Sequence, residues 1–194
     1  MNKLKIAVIG VGGISVSHIN AYLGNPDVEL YAFCDINEKR LKEKGAKYGI
    51  TRLYTDEDEM LKALPELDAV SVCVWNCNHA SCAIKALDAG KHVLCEKPLA
   101  RTVEEGKAML EAAKRNNRLL MVGFCCRFEN AADIIRTQQE TDFFGEIYYA
   151  KASYLRRNGA PGGWFCNTAM SGGGPMIDLG VHILDLTRYL MGNP

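Results

Sequence analysis

Lys5-Ile6-Ala7-Val8-Ile9-Gly10-Val11-Gly12-Gly13-Ile14-Ser15, with Asp35 closing the next apolar run from Val28 to Cys34, is the stretch on which the fold turns. Lys5 to Ile9 reads as a strand buried on both faces, and Ile14 to Leu23 as the helix that follows it. Between them, Gly10, Gly12 and Gly13 let the backbone turn tightly and bring amides, with Ile14 opening the helix, up to a pyrophosphate at the positive helix end. Ser15 stands where a third glycine is usual, a position that serves close helix–strand packing and accepts a small side chain. Asp35, about 20 residues further on, can accept hydrogen bonds from a ribose diol and repel a 2′-phosphate, so NAD is favoured over NADP. The plainer alternative is a glycine turn of any α/β protein with Asp35 in a solvated loop; strand, helix and acid together argue against it.

Outward from this turn, Ala69 to Val74, His92 to Cys95 and Leu119 to Val122 are further short apolar runs. Helical stretches alternate with the strands: Glu38 to Tyr48, Ala80 to Ala89, and Val103 to Arg115 behind the capping box Thr102-Val103-Glu104-Glu105. The alternation predicts an α/β Rossmann domain, a doubly wound parallel sheet, over residues 1–123. After Gly123 the pattern changes. A helix is expected from Glu129 to Gln139, a strand from Glu146 to Arg156, a flexible loop around Pro161 to Gly163 and Gly172 to Gly174, and a helix from Pro175 to about Met191. Residues 124–194 read as an incomplete α+β substrate domain, since one strand makes no sheet.

Composition narrows the function. The chain of 194 residues is 48% hydrophobic and 24% charged, with 23 basic residues against 23 acidic ones. That is a globular balance with a formal net charge of zero, which favours neither nucleic acid nor an anionic membrane. The apolar stretch from Leu4 to Val16 is cut by glycines and lacks a small-residue cleavage site, so neither export nor a membrane span is expected, and the location is read as cytoplasmic. Eight cysteines without a secretion signal read as reduced thiols, several of them small hydrophobes inside apolar runs. Cys77 and Cys82 have no matching pair downstream, so no metal site is expected.

Two further clusters carry chemistry. Asn76-x-x-His79 and Cys95-Glu96-Lys97-Pro98-Leu99 both follow strands, where open α/β sheets bind ligands, which makes Asn76, His79, Glu96 and Lys97 candidate cofactor contacts. Pro98 pushes Lys97 from helical geometry and leaves open a cis peptide; the alternatives are an exposed turn lysine and a helix-capping His79. On the last helix, Asp178, His182 and Asp185 fall at i, i+4 and i+7, one polar stripe on an otherwise apolar and therefore buried helix. A His–Asp pair there is either structural or a proton acceptor for alcohol oxidation.

With these segments in place, together with Ala89-Gly90-Lys91-His92, Gly145-Glu146-Ile147 and Gly172-Gly173-Gly174-Pro175, the chain resembles the glucose–fructose oxidoreductase and inositol dehydrogenase (Gfo/Idh/MocA) family over its whole length. It departs from the family at Ser15 and at Val74-Trp75, where Thr-Pro is common. The resemblance implies that Lys97, Asp178 and His182 are the catalytic trio. His182 takes the hydroxyl proton, Asp178 orients its ring, and Lys97 stabilises charge on the substrate oxygen as hydride leaves for the nicotinamide. It implies NAD-dependent oxidation or reduction of a sugar, inositol or related polyol, and a chain cut short within its second domain. The rivals are NAD-assisted glycoside cleavage and a non-catalytic dinucleotide-binding subunit. The unpaired strand and apolar helix predict a homo-oligomer.

Overall fold

The computed structural model describes residues 3–157, 159 and 161–192, which divide into two compact units, Met1–Val122 and Gly123–Pro194. In the first, elements alternate as β1 (Leu4–Ile9), α1 (Ser15–Leu23), β2 (Val28–Cys34), α2 (Glu38–Tyr48), β3 (Leu53–Tyr54), α3 (Glu57–Ala63), β4 (Ala69–Val72), α4 (His79–Asp88), β5 (His92–Cys95), α5 (Val103–Arg115) and β6 (Leu120–Val122). All strand pairs are parallel, in the order β3-β2-β1-β4-β5-β6. This is the doubly wound Rossmann order, with its reversal between β1 and β4. β3 and α3 are additional to the sequence expectation. β3 is only two residues long, too short for a period-2 pattern, while α3 carries a readable start in Asp56, whose carboxylate accepts from Glu59 N at 2.9 Å.

Helices cover both faces of the sheet. On one, Ala7, Ile9, Ala32, Val70 and Val72 pack with Met60 of α3, Ala83 and Leu87 of α4, and Met109 and Ala112 of α5. On the other, Val8, Leu30 and Phe33 meet Ile19 of α1 and Leu41 of α2. The pairing of β1 with β2 slips between Ile6 and Ala7, and the strict inside–outside alternation slips with it. Beyond that slip the register is level at the carboxyl ends: Ile9 stands opposite Cys34 and Val72, Val72 opposite Cys95, and Cys95 opposite Val122. The residues that follow these strands, Gly10, Asp35, Cys73, Glu96 and Gly123, therefore share one edge of the sheet.

The second unit contains a 3-10 turn (Cys125–Phe128), α6 (Asn130–Glu140), a second 3-10 turn (Gly163–Cys166), α7 (Thr168–Ser171), a π-helical turn (Met176–Gly180) and α8 (Val181–Met191). Three expectations are corrected here. Residues 146–156 form no strand: among the described residues no second strand lies beside them, and a strand without a ladder does not persist. The glycine-rich loop is partly ordered, because Asn167 caps α7 by accepting from Ala169 N at 3.0 Å and Gly172 ends it at φ 82°. The last helix is not α-helical from Pro175, and its α-helical part is mostly part-buried, with Leu184 and Met191 exposed; it packs on α6 and the turn 125–128. No helix among the described residues is long and apolar enough to cross a membrane.

Candidate functional site

The first half of the site is built where β1 hands over to α1. Gly10 sits at φ 86°, and a Cβ there would come 2.6 Å from the Cys73 carbonyl oxygen, so β1 and the end of β4 can approach only through glycine. Around Gly12 and Gly13, by contrast, a Cβ would meet nothing within 4 Å, leaving room for a ligand against these backbones. Ser15 is fully buried and donates to Gly12 O at 2.7 Å, so the hydroxyl in the third-glycine position is satisfied within the turn itself. Ile14 forms the start of α1 and is exposed.

Asp35 is buried, and its carboxylate accepts from Val11 N and from Asn37 N, each at 2.8 Å. It thereby ties the glycine turn to the end of β2. Arg40 donates to the same carboxylate from Nε at 3.2 Å and Nη2 at 2.9 Å. Its side chain is 43% exposed against 4% for Asp35, so the arginine covers the acid from the solvent side. The cradle fits a dinucleotide: open backbone at a helix N-terminus for the diphosphate, and a carboxylate for the ribose diol.

Glu96 and Lys97 follow β5, and the Lys97–Pro98 peptide is cis. Lys97 N donates to Glu96 Oε2 at 3.1 Å, and Glu96 Oε1 receives His18 Nε2 at 2.8 Å. His18 Nδ1 lies 3.2 Å from Ser71 Oγ, which is also hydrogen-bonded to the Tyr22 hydroxyl. One proton arrangement satisfies every member. The Tyr22 hydroxyl donates to Ser71, Ser71 donates to His18 Nδ1, and Nε2–H donates to the carboxylate. Burial raises the Tyr22 pKa, which keeps that donor protonated. The relay anchors the backbone that carries Lys97. His18 escaped the sequence reading because its partners are 53 and 78 residues away, and helix periodicity only places it on the inner side of α1.

His79 is buried at the start of α4, with Nδ1 2.7 Å from Pro98 O and Nε2 3.2 Å from Val74 O. It braces the end of β4 against the Lys97–Pro98 turn. Burial pulls its pKa below the usual histidine value, outweighing the two carbonyls, so the ring is neutral and can donate to only one of them. Asn76 is buried in the 3-10 turn Asn76–Asn78 just ahead of α4. Lys91, in the resemblance's Ala89–His92 segment, donates to Pro65 O at 2.5 Å, holding the approach to β5.

Four cysteines of this unit, Cys34, Cys73, Cys82 and Cys95, are buried, and burial pushes the thiols of Cys34 and Cys82 up to about 12 and about 11. They act as small hydrophobes rather than nucleophiles.

In the second unit, Asp178 lies on the π-helical turn and accepts from Arg156 Nη2 at 3.3 Å. The wider π turn changes the angle between Asp178 and His182 from that of the expected α-helical stripe. The His182 ring stacks on Tyr154 at 5.9 Å between centroids, with Cys126 Sγ 4.0 Å from its Nδ1. Asp185 is engaged by Arg127, through Nε at 2.7 Å and a second bond from Nη2, a partner no spacing rule could supply. Lys97 belongs to the first unit, and Asp178 and His182 to the second.

A glycine turn, a buried acid tied to it and a lysine at the carboxyl edge of a Rossmann sheet are the framework of a dinucleotide-binding unit of the oxidoreductase type. The chain belongs to the Gfo/Idh/MocA oxidoreductase family: residues 4–124 match its NAD-binding Rossmann fold and residues 134–194 its C-terminal domain. It is 39% identical to a D-glucoside 3-dehydrogenase of Escherichia coli, over 100% of this chain and 55% of that protein. It is 32% identical to a myo-inositol 2-dehydrogenase of Thermotoga maritima, over 97% and 55%. Among solved structures, a levoglucosan dehydrogenase in complex with NADH superimposes with a TM-score of 0.88 at 28% identity, over 99% of this chain and 55% of that one. The chain spans about half the length of the curated relatives it matches.

Proposed function

We propose that the chain supplies the NAD site and the proton-handling residues of a dehydrogenase that moves hydride between nicotinamide and a secondary hydroxyl of a sugar, inositol or related polyol. The observation that carries this reading is the buried Asp35 carboxylate fixed to the glycine turn through Val11 N, with open space over Gly12 and Gly13. The named substrates of the relatives, a glucoside and an inositol, point to the same class of hydroxyl.

In this reading Gly10, Gly12, Gly13 and Ile14 hold the diphosphate, Asp35 the adenosine ribose, and Asn76, Glu96 and Lys97 the inner part of the cofactor, with His79 bracing the turn that bears Lys97. NAD supplies the hydride acceptor when bound. Lys97 hydrogen-bonds the reacting oxygen and favours its developing charge, His182 accepts the hydroxyl proton, and Asp178 orients the imidazole. Residues 124–194 are then the beginning of a substrate domain. In ketone reduction His182 donates instead.

The test is turnover of a polyol deuterated at the reacting carbon, with deuterium followed into NADH. His182→Ala should lower that transfer by about 10² to 10⁴ while NADH affinity stays near the parent value. Unchanged transfer in the variant would return His182 to a structural role.

A further inference from the structure

The turn 125–128 and α8 bring together Cys125 and Cys126, which the proposed hydride transfer does not use, and His182, which it does. One ligand atom each from Cys125, Cys126 and His182 lie within 4.8 Å of one another, and all three residues belong to the second unit. Two sulfurs and an imidazole are the donors that select a soft or borderline cation over Mg²⁺ or Ca²⁺. We propose that Cys125, Cys126 and His182 form a binding site for a thiophilic divalent cation of the Zn²⁺ type.

Tetrahedral zinc with thiolate and imidazole ligands sets neighbouring donor atoms about 3.6 to 3.8 Å apart. The three groups here must close by about 1.2 Å at most, which side-chain rotation supplies. The backbones that carry them are already clasped. Arg127, adjacent to Cys126 in the chain, is ion-paired to Asp185, which lies on the same helix as His182 and whose side chain is only 9% exposed. A set of three protein ligands leaves a fourth position for a water or hydroxyl oxygen.

The site is defined by its ligands and shares His182 with the dehydrogenase reading, on which one consequence rests. A cation on Nδ1 leaves the neutral ring with its proton on Nε2 and no lone pair to accept another, so cation binding and proton acceptance by His182 exclude each other.

The experiment titrates the 194-residue chain, stripped of metal and kept reduced with a phosphine, with Co²⁺ and then with Zn²⁺. The expected result is a stoichiometric thiolate-to-cobalt charge-transfer band that Zn²⁺ displaces, retained in Cys166→Ser. Cys126→Ser and His182→Ala should each weaken binding by at least the roughly 10- to 100-fold seen when supporting groups of metal sites are lost, with NADH binding preserved as the check on folding. Absence of a thiolate band in the parent chain, or an unchanged band in the Cys125→Ser/Cys126→Ser double variant, would overturn the assignment. Neither outcome bears on whether the chain binds NAD.

Discussion

His79 shows how much of a residue's setting the sequence leaves unsaid even where it marks the residue. Its place after a strand marked it, but only the fold shows its ring held between the carbonyls of Val74 and Pro98. Its pKa lies below the ordinary value of 6.5, chiefly through burial. The unfolded chain therefore takes up this proton first as pH falls, and the histidine's contribution to stability, full above the unfolded value, drains away between that value and the lowered folded one. Thermal unfolding should show a midpoint that falls between about pH 7.5 and about pH 5.5, with a shallower fall in His79→Gln. Equal slopes in the two proteins would mean that other groups dominate the acid sensitivity. Asp35 and the glycines were marked by their spacing after a strand, although what fixes them, Val11 N for Asp35 and the Cys73 carbonyl beside Gly10, lies far along the chain. His18, Arg127 and the Cys125–Cys126–His182 group were not marked, because each is made by contacts across the fold.

Among the elements, those whose ends carry a capping residue or a change of period were legible to within a residue or two. Glu38–Tyr48, Val103–Arg115, Val28–Cys34 and His92–Cys95 are as read from the sequence. Thr102 accepts from Glu105 N at 3.1 Å as the capping box requires, and the Glu105 carboxylate accepts from Arg101 N at 3.0 Å as well as from the cap's own amide. Thr102→Ala should cost about 1 kcal/mol of stability in chemical denaturation. A change within error would leave the helix start held by Glu105 and Arg101 alone. Residues 146–156 alternate like a strand but have no neighbouring strand among the described residues to form a ladder, and the π turn at Met176–Gly180 is written in no propensity scale.

Over the whole molecule, the two units differ in how well they cover their apolar side chains. The first has a continuous core on each face of its sheet. In the second, Phe128, Phe143, Tyr148, Leu155 and Met176 are all at least 70% exposed. Exposed apolar surfaces of that kind mark sites of association. Light scattering should therefore find the 194-residue chain self-associated and a version ending near Gly123 monomeric; a monomeric longer chain would show that these side chains are covered from within. The central claim, however, is the cofactor site, and fluorescence titration of the chain with NADH and NADPH tests it most directly. Asp35 should make NADH the tighter ligand, and Asp35→Ala, which frees Arg40 to meet a 2′-phosphate, should shift the ratio toward NADPH by about tenfold, or about 1.4 kcal/mol. NADPH binding as tight as NADH in the parent chain, or no binding of either, would contradict it.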